Sequence, residues 1–204
     1  MDSRTTSELL GFPGTFLGLA AAAAIVLKLR DSTAAVKITV VLICAVVSLI
    51  PVGGLYLFEY FISLVGHLSI TTMVLLSATL SETLLRQKLI DTRERLLLCL
   101  VIAVAAIVLY PSAYGILSFS TYALGFGSLP FISALLLLAI IFTAFQKHMA
   151  ALIIFLSALA FDLNLLSTGN LWDYLIDPLV VIYAVVIAAI WAFRKVRGEA
   201  VSPQ

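Results

Sequence analysis

The chain predicts an all-α fold, a polytopic transmembrane helical bundle of about seven spans, and three observations carry that prediction. Of its 204 residues, 63% are hydrophobic and 11% charged, against roughly 45–50% apolar and ~25% charged in soluble domains. The mean hydropathy is +1.18. The apolar residues fall in runs close to the ~20 residues of helix that cross a ~30 Å hydrocarbon core. Finally, eleven of the twelve Lys and Arg residues lie in alternate gaps between those runs, the pattern of the positive-inside bias.

The first run, 9–29, follows an N-terminal segment, 1–8, that holds Asp2, Arg4 and Glu8. That segment lacks the positive region of a cleaved secretory signal, so the first span is expected to be retained. The second and third runs, 34–53 and 56–80, are separated only by a turn around Gly53 and Gly54, which makes them antiparallel neighbours. The fourth run, 96–112, follows a connection, 81–95, that mixes Glu82, Asp91 and Glu94 with four basic residues. This connection reads as a solvated helical extension. Gln146, Lys147 and His148 separate the fifth run, 129–145, from the sixth, 149–166. The seventh run is 178–193, and the tail 194–204, with Gly, Ser and Pro, is expected to be disordered. None of the runs alternates with period two, so they read as helices and not barrel strands.

Charge then orients the bundle. One class of loops holds Lys28, Arg30 and Lys37, then Arg86, Lys88, Arg93 and Arg95, then Lys147, then Arg194, Lys195 and Arg197. The other class holds only Arg4. Seven spans with the N-terminus outside and the C-terminus in the cytoplasm reproduce this alternation, whereas dropping or fusing the short fourth run puts positive loops on both sides. Aromatic residues agree. Trp191 sits at the inner interface, and Trp172, Tyr174, Tyr110, Tyr56 and Tyr60 fall near the outer one.

Composition also excludes partners and chemistries. A net charge of +1 and the lack of basic runs interleaved with aromatics argue against nucleic acid and leave the lipid bilayer as the expected partner. Cys44 and Cys99 read as small apolar packing residues, with neither disulfide nor metal spacing. His67 and His148 are expected at different depths and cannot readily share a metal. No H-E-x-x-H, G-x-S-x-G or G-x-x-x-x-G-K motif occurs, so no cofactor is expected.

Two groups of residues are the candidates for function. Glu59, Ser63 and His67 recur every four residues within the third run, a slanting polar stripe on one helix that Thr71 continues. Asp162, near the outer end of the sixth helix, is placed to approach Glu59 across the bundle. Ionisable groups at membrane depth are costly and face the bundle interior, and a carboxylate beside an imidazole suits proton relay. The bland alternative is a neutral histidine hydrogen-bonded to Ser, Thr or backbone. The second group is the polar outer loop 165–177, in which Asn170, Trp172, Asp173 and Tyr174 are candidates for binding at the outer face. Trp172 and Tyr174 read first as interfacial anchors, with stacking on a sugar or lipid headgroup as the alternative. Asp177 followed by Pro178 is a favoured helix start. The connection between the fourth and fifth runs, rich in Gly, Ser and Tyr, reads as a plain outer loop, with a re-entrant cap over a cavity as the alternative.

The stretches NLWDYLIDP, Asn170 to Pro178, and EYFISLVGHLSITT, Glu59 to Thr72, resemble a group of small, uncharacterised multi-pass bacterial inner-membrane proteins. The resemblance implies a multi-pass location in a bacterial inner (plasma) membrane and no activity or site. Three functions stay open. The chain is expected to be an accessory or scaffold component of an envelope glycan or lipid assembly, with a membrane-protein partner. The alternatives are a small proton-coupled transporter using Glu59, His67 and Asp162, and an envelope lipid- or glycan-processing enzyme with an outward carboxylate site.

Overall fold

In the computed structural model, which describes residues 3–116 and 118–197, the chain is helical almost throughout. Helices α1 (Ser3–Val26), α2 (Ala34–Ser48), α3 (Leu57–Val65) and α4 (Ile70–Leu80) precede α5 (Thr92–Ala113), α6 (Leu129–Ala144), α7 (His148–Asp162), the short α8 (Leu171–Leu175) and α9 (Pro178–Val196). The expected turn at Gly53 and Gly54 is a two-residue hairpin in which Pro51–Val52 pairs antiparallel with Leu55–Tyr56. Gly53 and Gly54 both have positive φ, which glycine adopts without a Cβ clash.

Among the described residues two helices are long and apolar enough to cross a membrane, α5 with 22 residues and α9 with 19. The five other apolar stretches identified, including α2, α6 and α7, have 10–17 residues each. At 1.5 Å per residue these reach about 15 to 25 Å, short of a ~30 Å core. The number of long helices therefore differs from the seven expected. Two of the runs are shortened locally, the third at Gly66 and the sixth at its outer end. In the sixth run, α7 stops at Asp162, before the left-handed Asn164. At the other extreme, α9 runs on through Arg194 and Lys195 to Val196, so the first residues of the tail expected to be disordered are helical. Residues 198–204 lie outside the described residues, as do 1 and 2.

The third run is where the structure departs most from expectation. The helix ends at Val65, and Gly66, at φ 84°, donates its N–H to the Ile62 carbonyl. With Gly66, four non-helical residues, 66–69, precede α4 at Ile70. A glycine past a helix end and a serine just before the next are stop and start signals, here set inside an apolar run that hides them.

The chain divides into two compact units. The first holds α1 to α3, most of α4 and Leu163–Ser167; the second holds Ser69–Thr71 and α5 to α9. In the first, α1 packs against α2 and α3. Ala20, Ala21 and Ala24 form a buried cluster with Cys44 and Leu80, since small side chains let helix backbones approach closely. Lys37 of α2 donates to the carbonyls of Arg30 (3.1 Å) and Leu84 (3.0 Å), pinning both ends of neighbouring turns. In the second unit α5 lies along α9, and α6 along α7.

Candidate functional site

The segment 168–177 of the second unit holds the four outer-face candidates that the sequence singles out. Asn170 is the N-cap of α8. Its Oδ1 accepts the Trp172 N–H at 2.9 Å, and its Nδ2 donates to the Tyr122 carbonyl at 2.9 Å. Asparagine suits this position because its short side chain reaches an amide that the helix leaves unpaired. Trp172 Nε1 donates to the Thr121 carbonyl at 2.9 Å, and its ring centroid lies 4.4 Å from that of Phe131. The Asp173 carboxylate accepts from the Tyr122 hydroxyl at 3.0 Å and from the Thr168 hydroxyl. Tyr174 donates its hydroxyl to the Thr168 carbonyl at 3.3 Å, and its ring meets Phe161 edge-on.

The opposing wall of this cluster is the turn Tyr122–Gly125. The connection between α5 and α6 is therefore no plain loop. Ser112 at the end of α5 hydrogen-bonds Thr121, and the turn docks on α8 through the carbonyls of Thr121 and Tyr122. Gly125 is required by this docking: a Cβ there would overlap Asn170 Oδ1 and lie 2.7 Å from Trp172 Cδ1. Burial raises the Tyr122 pKa above its ordinary value, and the neighbouring Asp173 charge and hydrogen bond add to the effect. The Tyr122 hydroxyl is the donor in its hydrogen bond to Asp173.

This arrangement changes the reading of the four outer-face candidates. Asn170 and Tyr174 have no exposed surface, so neither presents a ring or amide to a ligand, and Tyr174 is not an interfacial anchor. Trp172 and Asp173 are half-buried. The sequence marks these residues as polar and aromatic, but only the fold brings Thr121 and Tyr122 over them. Asp177 does cap α9: Oδ1 accepts the Val180 N–H at 2.8 Å, and Oδ2 takes a second bond, from Ser69 N–H at 2.7 Å.

The other candidate group does not form the expected stripe. Glu59 sits in the first turn of α3 and accepts the Tyr56 N–H, a reach-back typical of helix starts. Ser63 donates to the Glu59 carbonyl at 2.8 Å. His67 lies in the break after α3, and Thr71 belongs to α4, so the four-residue repeat does not run along one helix. Asp162 ends α7 in the second unit and lines a crevice of about 350 Å³ between α6 and α7. Two buried polar atoms have no hydrogen-bond partner among the described residues, His67 Nδ1 and Thr15 Oγ1. Each lies one residue from the contact between α1 and the break, where Gly14 faces Leu68.

A further site went unread in the sequence. Glu94, expected to be solvated, is buried, and its Oε1 accepts the Ala150 N–H in the first turn of α7 at 2.9 Å. Its signal is weak, a carboxylate among four basic residues. Among the described residues no group of three or more His, Cys, Asp or Glu is placed to hold a metal ion.

Fold and site together define an all-α protein in which, among the described residues, two helices are of membrane-crossing length and the Tyr122–Gly125 turn is hydrogen-bonded to α8 and its cap. Comparison with protein-family models, with curated proteins and with solved structures returns no match.

Proposed function

We propose that the chain is a multi-pass protein of a bacterial inner membrane, crossing seven times with its N-terminus outside, and that it serves as an accessory or scaffold component of an assembly making or modifying envelope glycan or lipid. The charge alternation supports the orientation. Multiple crossings are supported by exposed apolar side chains on several helices, among them Val104 and Ile107 on α5, Leu136 and Ile140 on α6, and Ile182 and Val186 on α9. Such surfaces call for lipid or another protein as their solvent. On this reading α3 and α4 make the third crossing in tandem.

The observation that carries the scaffold role is the hydrogen-bonded set Tyr122–Asp173–Thr168 with Asn170–Tyr122 and Trp172–Thr121. Its polar groups serve one another. That favours a rigid face for holding a partner over a reactive centre, which needs groups committed to substrate. The test is extraction of the tagged protein from its native membrane in mild detergent, with co-purifying proteins identified by mass spectrometry. A stoichiometric membrane-protein partner is expected; a chain that purifies alone overturns the scaffold role.

One observation favours a second reading, a small proton-coupled transporter. Discontinuous helices mark binding sites in transporters because their free backbone groups and buried polar side chains face substrate or ions. The break 66–69, with the unpartnered His67 Nδ1 and Thr15 Oγ1, is such a feature. Substitution Glu59→Gln or His67→Gln then abolishes transport; unchanged, pH-independent transport rejects the reading.

A further inference from the structure

The C-terminal end of α9 carries an arrangement that positive-inside charge does not require. Arg194 and Arg197 stand three residues apart, the spacing that places side chains on one helix face. Together with Ala189, Ile190 and Phe193 they line an open recess of about 400 Å³. The Arg197 guanidinium lies 4.4 Å from the centroid of the Phe193 ring, and a cation held over an aromatic face is preorganised. Lys195 lies in the same way over the Trp191 ring, at 4.9 Å, and does not line the recess. Among the described residues neither arginine is in an ion pair.

We infer that this recess is a binding site for an anionic phospholipid of the cytoplasmic leaflet, with its phosphate on Arg194 and Arg197 and an acyl chain along Ile190 and Phe193. The inference rests on the membrane-spanning reading above. Charge complementarity selects the occupant: two guanidiniums present forked donors matched to phosphate oxygens, and the wall below them is apolar. Anionic lipid attracts juxtamembrane basic residues of any kind. A bidentate fork adds geometry that a lysine ammonium does not have.

That difference supplies the test. Detergent-purified full-length protein is mixed with phosphatidylglycerol or phosphatidylcholine and bound lipids are counted by native mass spectrometry. Wild type is expected to retain phosphatidylglycerol in preference to phosphatidylcholine. The double variant Arg194→Lys/Arg197→Lys keeps the charge and is expected to lose retention about tenfold, as two charge-assisted forks are replaced by point charges. Lys195→Gln, which removes a charge but no donor of the recess, is expected to lower retention less than the double lysine variant does. Equal retention by the double lysine variant, or no preference between the two lipids, overturns the inference. Alkaline extraction of the same membranes separates this failure from that of the underlying reading, since a chain released from the membrane was never inserted.

Discussion

The Glu94 carboxylate of α5 accepts the backbone N–H of Ala150, 56 residues away at the start of α7, at 2.9 Å. The bond joins two helices at their ends and satisfies an amide that the first turn of α7 cannot pair internally. A negative group at a helix N-terminus also meets the favourable end of the helix dipole. Glu94→Ala removes the acceptor from a buried site and is expected to cost about 1.5 to 3 kcal/mol. Glu94→Gln, which keeps a carbonyl acceptor, costs less. Thermal unfolding in detergent, read by circular dichroism, measures both; equal midpoints for wild type and Glu94→Ala would count against the cap.

The Tyr122 hydroxyl bonds Asp173 across two connections. Burial and the Asp173 charge hold the Tyr122 pKa above its ordinary value. A group whose folded pKa is raised contributes stability that is complete below its unfolded pKa, ~10 for tyrosine, and is lost as pH rises through the folded value. Wild type is therefore expected to lose part of its stability in that alkaline range, and Tyr122→Phe to show a smaller loss. Tyr122→Phe and Asp173→Asn together should cost less than the sum of the single changes, because they share one bond. Unfolding midpoints from pH 8 to 11 test both statements.

Gly125 faces Asn170 and Trp172 with no room for a methyl group. Gly125→Ala is expected to separate the Tyr122–Gly125 turn from α8 and to destabilise the protein by about 1 to 3 kcal/mol, the usual cost of overpacking. Proteolysis between α5 and α6 in the folded protein should accelerate in parallel. Unchanged protease resistance would mean that the turn does not dock there.

Thr15 is buried to 2% exposure and its hydroxyl has no partner among the described residues. Removing an unsatisfied hydroxyl while keeping its shape is expected to stabilise, so Thr15→Val should raise the unfolding midpoint by the equivalent of about 1 to 3 kcal/mol. A fall instead would identify the hydroxyl as a ligand of a bound water or solute at the helix break, and would strengthen the transport reading.

Topology is tested by single-cysteine labelling. Ser118→Cys, in the connection between α5 and α6, is expected to react with a membrane-impermeant maleimide added to intact spheroplasts. Gln87→Cys, between α4 and α5, should react only after permeabilisation. The reverse pattern inverts the orientation, and labelling of both positions from outside removes the crossing made by α5.

The all-α character, the positions of most apolar helices and the cap at Asp177 are carried by local signals: composition, run length, and a short polar side chain followed within three residues by the amide it pairs. Such signals act over one turn, so the sequence expresses them directly. The ends of the helices were less legible. Gly66 and Ser69 interrupt the third run within an apolar stretch, where hydropathy overrides stop and start signals.

What the tertiary structure alone decided is which polar groups meet. Glu94 finds Ala150, Tyr122 finds Asp173 at a separation of 51 residues, and Asp177 finds Ser69 at 108. Apolar helix surfaces are nearly interchangeable in their attraction for one another and for lipid, so hydropathy names no partners. Hydrogen bonds between buried polar groups are directional and costly to leave unmade, and only the folded arrangement of helix ends brings each donor to its acceptor. Thus the sequence by itself determined the kind of protein and its charge asymmetry, while the fold decided that Asn170, Asp173 and Tyr174 brace one another beneath the Tyr122–Gly125 turn.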